Sequence, residues 1–187
     1  MVTRILQKQK KLDQIAYEIE ECKICQIDKI GIAVPGEGNA DADIMFVGEA
    51  PGSNEAREGR PFIGRSGKFL RQQIEAIGLK EEDVFIVSPV KYLPTYITPK
   101  PSDILHGKTH FDKQVEIIDP KIMVLMGNTA VVAVLGEKMP IMKVHGDTIK
   151  RNGRTYFISL HPAAAIRFQK FRGTFIEDFQ KIRNLIM

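Results

Sequence analysis

Four short apolar runs, each closed by a polar or turn-forming residue, constrain the fold of this chain more than any other feature. They are Asp43-Ile-Met-Phe-Val47, Val84-Phe-Ile-Val87, Ile122-Met-Val-Leu-Met126 and Tyr156-Phe-Ile-Ser-Leu160. Runs this short, rich in β-branched and aromatic residues and without polar alternation, belong to strands buried on both faces of a parallel sheet. Helical spacing fills the intervals. Ile5, Leu12, Ile15, Ala16 and Ile19 predict a first helix over residues 4–21, and a second covers 66–77 before Gly78. Further helices are expected near 110–118, from Gly127-Asn-Thr onward, and over 172–185, where Phe175, Ile176, Phe179, Ile182 and Leu185 share one stripe. The alternation predicts one α/β domain over residues 1–187, a three-layer α/β/α sandwich with a central, mostly parallel four-stranded sheet.

Two regions break the pattern. Residues 141–160 predict a hairpin turning on Asn152-Gly153, a favoured two-residue pair. Residues 88–110 hold four prolines and read as an irregular loop, of a length that is usually functional.

Composition narrows the classes of function. No apolar run approaches the ~20 residues of a membrane span, and the polar start Met1-Val-Thr-Arg lacks a signal-peptide core, so a cytoplasmic, chromosome-associated protein is expected. Net charge is +4, and basic residues gather near two motifs: Arg57, Arg60, Arg65, Lys68 and Arg71, then Arg167, Lys170 and Arg172. A polyanionic partner fits such clusters if they share one face. The only cysteines, Cys22 and Cys25, exclude a disulfide framework. Their C-x-x-C spacing suits metal or cluster ligands, or a redox dithiol.

In open parallel sheets the ligand crevice lies beyond the carboxyl ends of the strands. Here those ends carry Gly48-Glu49, Ser88, Gly127-Asn128 and His161. The glycine-rich stretch that follows Val47 matches neither the P-loop nor the dinucleotide fingerprint. Taken singly, His161 reads as a histidine hydrogen-bonded at a strand end, Glu49 and Glu55 as solvated loop carboxylates, and Phe62 as core. Taken together, in this order at these strand ends, they read as a site.

At these residues the chain resembles a known family. Gly48-Glu-Ala-Pro-Gly-Ser-Asn-Glu-Ala-Arg-Glu-Gly-Arg-Pro-Phe-Ile-Gly-Arg-Ser-Gly67 is similar to the first motif of the family 4 (thermophile-type) uracil-DNA glycosylases, and His161-Pro-Ala-Ala-Ala-Ile-Arg167 to their second. The resemblance implies a monofunctional DNA N-glycosylase of base excision repair. It would hydrolyse the N-glycosidic bond of uracil, or a related deaminated base, flipped out of DNA, leaving an abasic site. It implies His161 as the donor to the uracil oxygen that gains charge, with Glu49 as the second catalytic residue. Ala50, Glu55, Phe62 and Ser88 are implied as base-binding residues, Phe62 by stacking. Ala165 and Ile166 are implied as an apolar wedge in the DNA and Arg167 as a phosphate contact. The implied partner is DNA, with no membrane, and the protein is expected to act as a monomer.

The chain departs from the family in ways that bear on activity. The family places an asparagine where Ser88 stands, and a hydroxyl loses the two-point match of an amide. Ala56 replaces a common acidic residue, a change from which little is expected. Family members hold a [4Fe–4S] cluster on four cysteines. Here Tyr92 stands at the third position and Gly107, between His106 and His110, near the fourth. The chemistry itself is expected to need no cofactor. Loss of the cluster, with packing in the 88–110 loop taking its place, is the expectation; a substitute set of Cys22, Cys25 and a loop histidine is the alternative. Two other functions remain open: a diverged member that binds DNA or a flipped base with little excision, and a small nucleotide hydrolase or transferase, for which neither a carboxylate metal cluster nor a phosphate loop is present.

Overall fold

In the computed structural model, which describes residues 2–186, the four apolar runs become the parallel strands of one sheet. Helix α1 (Val2–Glu21) and the single turn α2 (Lys23–Gln26) precede two short strands, β1 (Lys29–Ile30) and β2 (Glu37–Gly38). The first buried strand, β3 (Ile44–Val47), leads through α3 (Ser53–Glu58) and α4 (Arg65–Ala76) to β4 (Val84–Val87). Next come β5 (Leu93–Pro94), α5 (Pro101–Ile118), β6 (Ile122–Met126), α6 (Asn128–Leu135) and the short α7 (Ile141–Val144). The hairpin strands β7 (Thr148–Arg151) and β8 (Arg154–Ser159) are followed by α8 (Pro162–Arg167) and α9 (Arg172–Ile186).

The sheet has six strands, in the order β2-β4-β3-β6-β8-β7, where the apolar pattern predicts four. β4, β3, β6 and β8 pair in parallel; β2 and β7 add antiparallel at the two edges. The edges escape the sequence pattern because neither is apolar: β2 is Glu37-Gly38, and β7 is mostly exposed. By contrast, every residue of β3 and β4 is buried. Connections leave β3 toward β4 on one side and reach β6 on the other, so the topological switch point lies between β3 and β6.

Helices cover both faces. α4, α8 and α9 pack on one another over one face, and α1, α5 and α6 over the other. A run of aromatic contacts ties the first group to the sheet: Phe46 stacks on Phe179 at 5.8 Å, while Phe175 meets Phe179 at 4.7 Å and Phe69 meets Phe175 at 5.4 Å, both tilted. Each such ring contributes about 0.5–1.5 kcal/mol per pair beyond its burial. Beneath α1 a smaller apolar cluster forms from Ile15, Ile19, Cys25, Ala33 and Tyr92.

The irregular stretch is shorter than expected. Helix α5 begins at Pro101, so residues 101–110 of the predicted 88–110 loop are helical. Proline is suited to a first helical position, and Asp103, three residues after the N-cap Lys100, accepts from the Lys100 backbone N–H at 2.8 Å. The same carboxylate holds Lys29 Nζ at 2.8 Å in a partly buried pair, tying α5 to the segment after α2. Nearby, Lys91 is buried with its Nζ donating to Gln114 Oε1 at 2.7 Å, and burial pushes its pKa down to about 7. The expected hairpin is present from residue 148, with Asn152 (φ 52°) and Gly153 (φ 75°) in the left-handed turn; residues 141–144 form a helical turn instead of strand.

Asp103→Ala removes both the cap and the partner of the partly buried Lys29. A stability loss on the order of 3 kcal/mol is expected, read as a lower urea midpoint with an unchanged slope.

Candidate active site

The strand ends meet as the topology requires. A cavity of about 450 Å³ opens at the carboxyl edge of the sheet, lined by Glu49, Ala50, Glu55, Phe62, Ser88 and His161, with Ile97 at its rim. The rings of Phe62 and His161 face the same space, 6.1 Å apart between centroids and inclined by 36°. A larger groove of about 980 Å³ runs between α1 and residues 29–38, and none of the strand-end residues reaches it.

His161 caps the N-terminus of α8, and its Nδ1 accepts from the Ala163 N–H at 3.3 Å. A ring nitrogen that accepts carries no proton, so in the neutral ring the proton sits on Nε2, which is left as a donor. Burial holds the His161 pKa below its ordinary 6.5, and the charge of Glu49 offsets this only in part. The imidazole is therefore neutral at pH 7. Gly127 (φ 87°) lets β6 turn away beneath it: a methyl group there would stand 3.3 Å from His161 Cβ.

Glu49 is fixed from across the switch point. Thr129 Oγ1, in the first turn of α6, donates to Glu49 Oε2 at 2.7 Å. Sequence reading missed Thr129, although its place after the β6 turn was a signal. Ser88, also buried, ends β4 beside Gly48.

Phe62 sits in the left-handed region (φ 52°), which an aromatic residue adopts only when its surroundings enforce it. Three contacts do so. Arg71 donates to the carbonyls of Phe62 (3.0 Å) and Pro61 (2.9 Å). Glu55 Oε1 accepts from the N–H groups of Ile63 (2.9 Å) and Gly64 (2.7 Å). Gly67 packs on the same backbone, where a methyl group would lie 2.0 Å from the Phe62 carbonyl carbon. Gly48 leaves room for the ring itself, since a methyl group there would meet Phe62 Cζ at 2.4 Å. Glu55, expected as a base contact, thus lines the cavity with one oxygen committed to bracing this turn.

Other expected positions shift. Ala165, expected in the wedge, is 1% exposed and packed in the core under the short helix α8, and Ile166 is half-buried against the same core. The exposed apolar side chain here is Phe168, at the end of α8, with the Arg167 guanidinium 5.4 Å from its ring. Among the basic residues, Arg60 and Arg71 both pair with Glu37, and Arg71 also with Glu81, so they brace the structure instead of presenting free charge. Burial pushes the Glu37 carboxyl up, but the two guanidiniums outweigh it and hold its pKa below the ordinary carboxylate value. Arg65, Lys68, Arg167 and Lys170 are exposed on the neighbouring helices α4 and α8 and the turn after them.

A second cluster lies away from the cavity. Cys22, Cys25, His106 and His110 bring four ligand atoms within 4.8 Å of one another, with Cys22 Sγ 3.1 Å from His106 Nε2. Tyr92, at the position of a third cysteine in the resemblance, instead points its hydroxyl at the carbonyls of Ile19 (3.3 Å) and Glu20 (3.4 Å). Burial, followed by a hydrogen bond from Cys22, pushes the Cys25 thiol up to about 12.

A parallel sheet whose switch point brings a carboxylate, an aromatic ring and a histidine to one cavity places the chain among the open α/β proteins with a crevice at the carboxyl edge of the sheet. Comparison makes the class specific: the model of the uracil DNA glycosylase superfamily matches residues 35–183. The chain belongs to that superfamily, in its type-4 branch. It is 41% identical to the type-4 uracil-DNA glycosylase of Sulfurisphaera tokodaii, over 93% of this chain and 84% of that protein. It is 40% identical to the enzyme of the same name from Saccharolobus solfataricus (94% and 86% covered). With that of Thermotoga maritima it shares 33%, over 96% of both chains.

Glu55→Ala strips the Phe62 turn of two charge-assisted hydrogen bonds. Faster amide hydrogen exchange over residues 61–65 is expected, with the sheet strands unaffected.

Proposed function

We propose that this chain is a DNA-repair glycosylase that hydrolyses the N-glycosidic bond of uracil, or a related deaminated base, flipped out of DNA. The observation that carries the reading is the shared cavity of Phe62 and His161, with Glu49 and Ser88 on its other walls. A base inside a duplex is out of reach, so the nucleotide must leave the stack, at a cost of a few kcal/mol. In the cavity the extruded pyrimidine stacks on Phe62, and Ser88 hydrogen-bonds its polar edge.

The C1′–N1 bond then breaks, and its electron pair stays on N1 of the departing uracil. Negative charge spreads to the uracil oxygens, and the Nε2–H of His161 donates to one of them. A preorganised donor of this kind contributes about 3–4 kcal/mol. A neutral donor suits the task, since its proton is held and not lost to solvent. Glu49, steadied by Thr129, faces the positive charge that builds on the sugar and orients the water whose oxygen bonds to C1′. The water's proton passes to Glu49 or solvent, leaving an abasic site. Every step falls to side chains of the cavity, so this reading requires no cofactor.

On the DNA side, the exposed Arg65, Lys68, Arg167 and Lys170 meet backbone phosphates and Phe168 takes the wedge role expected of Ala165 and Ile166. We place the protein on chromosomal DNA in the cytoplasm, working as a monomer; none of its described helices is long and apolar enough to cross a membrane. Ser88 favours a second reading, a binder of flipped bases with little excision, because one hydroxyl cannot match both groups of the uracil amide edge.

Single-stranded, G:U and A:U oligonucleotides, scored for alkali-labile breaks, test the reading; if all stay intact, the binding function remains and the enzymatic one fails. His161→Ala is expected to slow excision about a hundredfold or more while leaving DNA affinity unchanged. Because its pKa is lowered by burial, any histidine-dependent acid limb in the wild-type rate lies below pH 6.5. Phe168→Ala should reduce excision from duplex DNA more than from single strands; equal losses on both would remove the wedge role.

A further inference from the structure

We propose that Cys22, Cys25, His106 and His110 form a structural zinc site, one Zn²⁺ held by two thiolates and two imidazoles where the family carries a four-cysteine iron–sulfur cluster. The pattern is C-x₂-C followed far along the chain by H-x₃-H, a spacing typical of tetrahedral zinc. The two histidines are four residues apart on α5 and so lie on one helical face. Both cysteines come from the turn at α2, which packs against α5.

Geometry separates one ion from a cluster. Around a zinc with bonds of about 2.0–2.3 Å, tetrahedral donors stand about 3.3–3.8 Å apart. Here all four ligand atoms lie within 4.8 Å of one another, a span near that of one tetrahedral shell. A [4Fe–4S] cube puts each ligand on a different iron and takes four thiolates, so this donor set does not fit it. A two-iron centre of mixed ligation accepts two cysteines and two histidines, but on separate irons. Cys22 Sγ stands 3.1 Å from His106 Nε2, too close for ligands of different irons.

His110 supplies an independent sign. It is buried, and neither ring nitrogen has a hydrogen-bond partner among the described residues. An orphaned buried imidazole is costly unless something binds it, and a metal ion is one of the few explanations. Two thiolates also neutralise the ion's charge, which suits a setting lined by Ile15, Ile19, Ala33 and Tyr92.

The elements that carry the ligands are fixed by other contacts. Asp103, one turn before His106, caps α5 and pairs with Lys29. Gly107 lets α5 lie directly on the loop before it, where a methyl group would come within 2.3 Å of the Pro89 carbonyl oxygen. Tyr92 anchors the end of α1. The zinc would clamp α1 and α2 to α5, the work that a cluster could do by the same route.

The test is metal analysis of the full chain, expressed with both zinc and iron in the medium and purified without chelator. One zinc per chain, no acid-labile sulfide and no absorption at about 400 nm are expected. Exchange with cobalt should give the intense visible bands of a tetrahedral thiolate site. Zinc affinity of His110→Ala and Cys25→Ser, read by chelator competition, should fall at least about a hundredfold. Should those variants fail to fold, the wild type decides: a chelator should lower its melting temperature, and zinc alone should restore it. Iron with labile sulfide would overturn the proposal, as would a metal-free protein whose melting temperature ignores both chelator and zinc. None of these readouts depends on excision.

Discussion

The site exists because β3 pairs in parallel with two neighbours that the chain reaches in opposite directions. That arrangement splits the helices between the two faces and leaves a gap above the ends of β3 and β6. Glu49 leaves one side of the gap and Thr129 the other, and their 2.7 Å hydrogen bond closes it. β4 and β8 flank the pair and deliver Ser88 and His161 to the same edge. Four residues dispersed through the sequence are thereby gathered without any loop having to be long.

The aromatic plate is held by a different principle. Phe62 occupies a backbone conformation that costs of order 1–3 kcal/mol, and several groups with no part in the chemistry keep it there. Arg71 grips its carbonyl while pairing with Glu37 and Glu81; Glu55 takes the next two amides; Gly67 removes the side chain that would collide with it. Charges that resemble a basic patch in the sequence are thus spent on rigidity. The exposed cations that remain include Arg65, Lys68, Arg167 and Lys170, on α4, α8 and the turn after them.

The two clusters of chemistry-bearing residues answer to different demands. The cavity needs groups aimed into open space, so its histidine is fixed from behind by a backbone N–H and keeps one nitrogen free. The cysteine–histidine cluster turns its donors inward upon one another, beneath α1 and away from the cavity. Two thiols and two imidazoles offer four donors of mixed softness, a set whose metal preference differs from that of four thiolates.

Much of this was legible from residues alone. Short doubly buried runs announce parallel strands, and the turns after Val47 and Leu160 announce the acid, the aromatic and the imidazole, because residue type and order determine which local structures and chemistries are available. The start of α5 at Pro101 was also written there, but a cluster of prolines masks a helix whose first position proline favours. What the sequence could not decide depends on distances between remote segments. It could not show that Arg71 pairs with Glu37 and Glu81, that Ala165 is core while Phe168 is exposed, or that His106 and His110 converge on Cys22 and Cys25. Periodicity sets which face of a helix is apolar; only packing of the whole chain sets what that face meets, and burial, pairing and coordination are properties of the meeting.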